Sequence, residues 1–185
     1  MGPADDGVQG LQFVDEVKGG VIPREFIQAT EKGFRGALTN GVLAGFPVEN
    51  LKVTLTDGSF HPVDSDALSF ESAAHIAFKE AGLKAGAILM EPVMRVEIHC
   101  PDEYLGDVTG DLNKKRSILR EVIADIGFQV IKADVPLAEM FGYITHLRSL
   151  SSGRATFNME LSHYAPVPEA IAEVVIKKAK GLLFI

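Results

Sequence analysis

The chain of 185 residues has a single cysteine, Cys100, so no disulfide can form within it, and the disulfide framework of a small secreted domain is excluded. No apolar run approaches the ~20 residues that a membrane helix needs. Met1-Gly2-Pro3-Ala4-Asp5-Asp6 lacks both the basic region and the apolar core of a signal peptide. These gaps predict a cytoplasmic protein. Catalytic signatures are missing too. No G-x-x-x-x-G-K-[ST] loop occurs, so there is no backbone cradle or lysine to hold nucleotide phosphates. The five histidines are scattered, no His or Cys pair has zinc-ligand spacing, and no G-x-S-x-G elbow is present. Cys100 falls in an expected strand, where a thiol is ordinarily packed and inert. Asp64 and Asp66 bracket an expected helix start, so capping accounts for them better than acid–base work. The expectation is a chain with no catalytic site, no metal and no cofactor of its own.

Positive charge is also in short supply. The net charge is −7, which argues against a generic nucleic-acid binder. Residues 1–91 hold seven Lys/Arg against thirteen Asp/Glu, and residues 92–185 hold eleven against twelve. The densest basic cluster is Lys114-Lys115-Arg116, with Arg120 close behind. Any RNA contact must therefore be local and matched in shape, without a broad electrostatic stripe. Hydrophobic residues at 46% and charged residues at 23% are ordinary for a folded chain.

The first thirteen or so residues are rich in Gly and Asp and read as a frayed or truncated entry. Pro23 suits a helix start, and Phe26, Ile27, Thr30, Phe34, Ala37 and Leu38 recur at helical spacing. Leu51, Val53 and Leu55 alternate with polar residues as in a half-buried strand, which runs into a tight-turn signal at Asp57-Gly58-Ser59. Ser65 or Asp66 can cap a second helix, and residues 87–90 read as a short strand. Two strands make a poor sheet, so partners are expected upstream. After Pro92 the order changes to strand (Met94, Val96, Ile98, Cys100), helix through Lys114, strands over 118–123 and 128–135, helix (Met140, Phe141, Ile144, Leu147) and strand over 156–163. That is the ferredoxin-like order. A closing amphipathic helix follows Pro168. The fold expected is α/β and α+β in two small domains: residues 1–91, a truncated β-α-β unit, and residues 92–185, a ferredoxin-like sandwich with the C-terminal helix.

Several blocks carry a family resemblance. They are Gly19-Gly20-Val21-Ile22-Pro23-Arg24-Glu25-Phe26, Gly41-Val42-Leu43-Ala44-Gly45-Phe46-Pro47-Val48, Val53-Thr54-Leu55-Thr56-Asp57-Gly58-Ser59-Phe60-His61 and Ala77-Phe78-Lys79-Glu80-Ala81. In the second half they are Glu103-Tyr104-Leu105-Gly106-Asp107-Val108-Thr109-Gly110-Asp111-Leu112-Asn113, Gln129-Val130-Ile131-Lys132-Ala133 and Val135-Pro136-Leu137-Ala138-Glu139-Met140-Phe141-Gly142-Tyr143, followed by Leu147-Arg148-Ser149, Gly153-Arg154 and Ser162-His163-Tyr164. From about Phe13 to about Ala179 the chain resembles the fourth and fifth domains of translation elongation factor G. Two departures stand out. The Gly- and Arg-rich strand pair that opens the family's fourth domain is missing, and Ser117-Ile118-Leu119 stands where the family usually has Gly-Gln-Ile.

The resemblance implies a ribosome-binding module of a translational GTPase that promotes translocation of transfer RNA and messenger RNA. The parent's GTP and Mg would then sit on a G domain absent from this chain. The implied partners are the small-subunit decoding site, the transfer RNA–messenger RNA duplex and large-subunit rRNA of the GTPase-associated region, with neither DNA nor membrane. The implied tip-loop contacts are Gly58, Ser59, Phe60 and His61. A histidine ring can touch ribose and phosphate without burying a charge. Lys114, Lys115 and Arg116 are candidates for rRNA phosphates or for complementing a helix dipole. Arg148, Ser149 and Ser152, at a helix end, are the remaining rRNA candidates, with capping and solvation as the plainer account. Met140, Phe141 and Tyr143 have helical spacing and are expected in the core. Two other readings stay open. One is a paralogue acting in ribosome recycling or ribosomal protection; the other is a ferredoxin-like module that binds a small metabolite.

Overall fold

The alternation at Leu51, Val53 and Leu55 builds the middle strand of a three-stranded sheet in a computed structural model that describes residues 1–182. The chain forms two units, one from Met1–Ile88 together with the segment from Pro168, the other Leu89–Val167. In the first unit, β1 (Gly2–Pro3), β2 (Leu11–Asp15), α1 (Arg24–Ala37), β3 (Leu51–Leu55) and α2 (Ala67–Lys84) follow in order. Strand β3 lies between β1, which is antiparallel to it, and β2, which runs parallel from Leu11↔Leu51 to Asp15↔Leu55. The opening residues are thus paired where fraying was expected. Phe13 packs on Phe34 with ring centroids 6.5 Å apart, and Lys52 binds Asp5 at 2.9 Å. The glycines there serve as turns, with Gly7 and Gly10 at positive φ.

Helix α1 buries Phe26, Ala29, Thr30, Gly33, Phe34 and Ala37, and the Thr30 hydroxyl donates to the Phe26 carbonyl at 2.8 Å. Asp66 caps α2 by accepting from the Ser69 N–H at 2.7 Å. Hydrogen bonds from Ser69, first from its hydroxyl and then from its backbone, hold the Asp66 carboxyl below its usual range. The two helices touch at Gly33, where an added Cβ would lie 2.7 Å from the Glu71 carbonyl oxygen and 2.8 Å from the Ala74 Cβ. The strand expected over 87–90 begins only at Met90. No ladder reaches residues 87–89, since the pairing starts at Met90↔Pro166.

The second unit contains β4 (Met90–Pro101), α3 (Leu105–Lys114), β5 (Ile118–Asp125), β6 (Phe128–Pro136), α4 (Tyr143–Leu150) and β7 (Thr156–Pro166). The sheet order is β5-β6-β4-β7 with every neighbour antiparallel, the ferredoxin-like arrangement. The expected division at Pro92 falls inside β4, and α5 (Glu169–Ala179) groups with the first unit. Proline is tolerated in β4 because pairing with β6 begins at Val93↔Pro136, which leaves one flank of the strand free at Pro92. Val96, Ile98, Cys100, Ile131 and Ala133 meet Val108, Leu112, Tyr143 and Leu147 in one core. Met140 and Tyr143 are buried as expected, but Phe141 is 79% exposed. The reason is that α4 begins only at Tyr143, capped by Gly142 at φ 71°, so Phe141 lies in the turn before the helix and outside its phase. The opposite face of the sheet is charged and pairs with itself: Arg95 with Glu160 at 3.1 Å, Lys132 with Glu121 at 3.1 Å, Arg120 with the buried Asp134 at 2.6 Å.

Gly33→Ala is expected to lower unfolding stability by about 1–3 kcal/mol, since a backbone oxygen cannot step aside. Gly110→Ala, in an exposed turn of α3 with nothing within 4 Å, is expected to raise it by roughly 0.5–1 kcal/mol. Denaturant unfolding of both variants provides the check.

Candidate functional site

Strand β3 ends at Leu55 and the chain enters a loop, 56–66, that leads to α2. No tight turn forms at Asp57-Gly58-Ser59. The reversal lies instead at 62–64, after Pro62, whose fixed φ suits a turn start. Ser65 closes it twice, donating its N–H to the His61 carbonyl at 3.0 Å and accepting the His61 N–H on Oγ at 2.8 Å. Gly58 sits against Ile22: a Cβ there would lie 2.6 Å from Ile22 Cδ1, so any larger residue must displace that methyl. Asp57 accepts the Gly58 N–H at 2.8 Å. Phe60 leans on Phe26 at 6.1 Å, and Phe26 stacks on Phe70 at 4.6 Å. Gly58 and Phe60 therefore anchor the loop, while Ser59 and His61 are its outward groups. The His61 side chain is 65% exposed, and its Nδ1 lies 2.9 Å from Asp64 Oδ2. The Val63 N–H lies 3.4 Å from the same nitrogen.

The candidates in the second unit separate into two groups. Helices α3 and α4 run antiparallel, so each helix end meets the other helix's start. Lys115 sits over the Tyr143 ring at 5.5 Å, at the start of α4. Ser152 accepts from the Tyr104 hydroxyl at 3.2 Å, just before α3. The Lys114–Arg116 and Arg148–Ser152 groups are thus about a helix length apart, ~15 Å for ten residues, and do not form one patch. Within the first group the roles differ. Arg116, at φ 54°, grips both oxygens of Glu91 at 2.6 and 3.0 Å and bonds Glu139 at 3.0 Å. Glu91, followed by Glu139, pushes the guanidinium's pKa up against the opposing effect of burial. Arg116 is an internal strut. Lys115 is held on an aromatic face, and Lys114 is exposed with no ion pair among the described residues.

At the other end, Arg148 and Ser149 are exposed on the last turn of α4. Ser152 takes the left-handed position after the helix, φ 52°, and the Gly153 N–H returns to the Arg148 carbonyl at 2.8 Å. This is the six-to-one closure of a Schellman end, with serine where glycine is usual. Arg154 stacks over Tyr104 at 4.9 Å and pairs with Glu103, which ties the loop down. No separate signal in the sequence marks Asp64, Glu91 or Arg154 as supports, because their partners lie across turns and strands. Ser117, which stands where the family usually has glycine, has an Oγ without a partner. Burial pushes the Cys100 thiol and the Tyr143 phenol up in pKa, away from reactivity. Among the described residues no three His, Cys, Asp or Glu gather as a metal-ligand set. With no phosphate cradle either, the residues present do not fit GTP or Mg.

A family model described as Elongation factor G, domain IV, matches residues 1–86, and one described as Elongation factor G C-terminus matches residues 88–175. The chain is 56% identical over 181 residues to elongation factor G of Amoebophilus asiaticus (strain 5a2), covering 98% of this chain and 26% of that protein. The same identity and coverage hold for elongation factor G of Cytophaga hutchinsonii. A crystal structure of a Thermus thermophilus protein superposes with a TM-score of 0.84 at 37% identity, over 97% of this chain and 26% of that one. The chain thus spans about a quarter of the length of the curated relatives it matches.

Arg116→Ala is expected to cost about 1–3 kcal/mol, because Glu91 and Glu139 lose their charged donors. Lys114→Ala is expected to stay within ~0.5 kcal/mol of the parent. Chemical unfolding of the two variants side by side measures the difference.

Proposed function

The chain belongs to the elongation factor G family, and we propose that it acts as the ribosome-engaging arm of a factor that promotes translocation of transfer RNA and messenger RNA. The observation that carries this reading is the 56–66 loop. Its backbone is fixed by Ser65, Ile22 and Phe26, yet it presents an exposed imidazole. Such a loop can enter an RNA groove without reordering itself, so little entropy is lost on contact. Gly58 and Phe60 shape it, and Ser59 and His61 meet the transfer RNA–messenger RNA duplex in the decoding site. Lys114 and Arg148, with Ser149 and Ser152, offer separate contacts to large-subunit rRNA.

In this proposal GTP and Mg belong to a part of the longer protein outside this chain, and hydrolysis there is coupled to the arm's position in the cytoplasmic ribosome. The arm works by binding one ribosomal state better than another. Each ~1.4 kcal/mol of that preference shifts the population tenfold. Family membership leaves the small-metabolite reading without support.

The test is a full-length elongation factor G in which this segment replaces the corresponding one. His61→Ala is expected to slow single-round translocation about tenfold, as loss of ~1.4 kcal/mol at the limiting barrier would. An unchanged rate removes His61 from the mechanism.

A further inference from the structure

Three side chains at the end of α4 form one directed chain of hydrogen bonds. Arg154 Nη2 donates to the Tyr104 hydroxyl oxygen at 2.6 Å, and that hydroxyl donates to Ser152 Oγ at 3.2 Å. The direction follows from the chemistry of the three groups. A guanidinium only donates, so the phenol oxygen must accept from it. Accepting a charge-assisted bond strengthens the phenol as a donor in turn. A phenol, with an ordinary pKa of ~10, also releases its proton far more readily than an aliphatic hydroxyl. Ser152 Oγ is therefore the acceptor, and its own proton has no partner among the described residues.

The chain has a fixed root. The Tyr104 ring packs against the core of the second unit. Arg154 lies over that ring at 4.9 Å and pairs with Glu103. Ser151, which is buried, holds the loop from beneath: its hydroxyl donates to the Leu147 carbonyl at 2.7 Å and accepts the Ala155 N–H at 3.0 Å. Ser152 stands at φ 52°, where glycine is the residue under least strain.

We propose that Tyr104 and Arg154 are positioning residues for this loop: through their hydrogen-bond chain, the Ser152 hydroxyl becomes an outward donor for a phosphodiester oxygen of RNA. A phosphate oxygen only accepts, and serine hydroxyls and arginines are among its usual partners. Arg148, exposed on the last turn of α4 with no ion pair among the described residues, supplies positive charge beside the loop. Arg154 meanwhile occupies the Glu103 carboxylate, which would otherwise repel a phosphate. The inference rests on the reading of this loop as an rRNA contact for its ligand, and on the hydrogen bonds alone for the direction of the hydroxyl.

The test measures binding of the full-length factor carrying this segment to vacant ribosomes, with a non-hydrolysable GTP analogue, over a series of salt concentrations. Ser152→Ala and Tyr104→Phe are each expected to raise Kd about fivefold, the equivalent of a ~1 kcal/mol hydrogen bond. The salt slope is expected to stay unchanged, because neither variant removes a charge. Ser152→Gly, which keeps the left-handed backbone without the hydroxyl, is expected to lose as much, so that misfolding cannot account for the loss. The double variant Tyr104→Phe/Ser152→Ala is expected to bind no worse than either single one, since Tyr104 acts through Ser152. Arg148→Ala is expected to lower the salt slope by about one. Losses that add in the double variant overturn the positioning role, as does wild-type binding by Tyr104→Phe. A lowered slope in Tyr104→Phe also overturns it, for that is the mark of a loop that has lost its shape and its Arg148 contact. Wild-type binding by Ser152→Ala with a loss in Arg148→Ala overturns the part given to the hydroxyl and leaves the loop as a contact. Wild-type binding by both removes the loop from the rRNA contacts, and the proposal with it.

Discussion

Two helices that touch where one of them has no side chain set the geometry of the first unit. At Gly33 the backbone of α1 comes within contact of the Glu71 carbonyl and Ala74 of α2, closer than any other residue would allow. That approach fixes the first turns of α2 against the later half of α1, while Phe26 stacks on Phe70 where both helices begin. The 56–66 loop is suspended between β3 and α2, and its aromatic anchor Phe60 rests on Phe26 near the start of α1. The placement of the loop backbone at His61 thus depends on packing inside the unit as well as on Ser65. Along the loop itself, side-chain oxygens of Asp57, Ser65 and Asp66 replace the ladder bonds that end at Leu55.

Much of the second unit was legible from residue patterns. The alternation of Met94, Val96, Ile98 and Cys100, the helix through Lys114 and the strands over 118–123, 128–135 and 156–163 mark elements that the structure contains, in the ferredoxin-like order. Less was legible where pairing is non-local. Leu11–Asp15 alternates weakly and sits among glycines, so only its parallel partner β3 identifies it as a strand. Phe141 departs from its helical spacing because Gly142 follows it, and periodicity carries no information across a left-handed residue.

The site followed the same division. Motif blocks pointed to His61 and its neighbours, while their supports stayed invisible. Arg116, a candidate for rRNA phosphate or for complementing a helix dipole, is engaged by Glu91 and Glu139, 25 and 23 residues away in sequence. The run Lys114-Lys115-Arg116 contains three different environments: open solvent, an aromatic face, and a pair of carboxylates. Adjacent residues at a helix end point in different directions, so a cluster in sequence need not be a cluster in space.

The self-paired sheet of the second unit bears on how that unit meets a polyanion. Arg95, Arg120 and Lys132 each have a carboxylate at hand, so beyond a Debye length of about 8 Å at physiological salt that face exerts little pull. Lys114 and Arg148, on the helical side, carry no such counterion among the described residues. Lys114 and Arg148 are therefore charges left for short-range contact, whereas each cation of the sheet face must first be drawn away from a carboxylate before it can meet a phosphate.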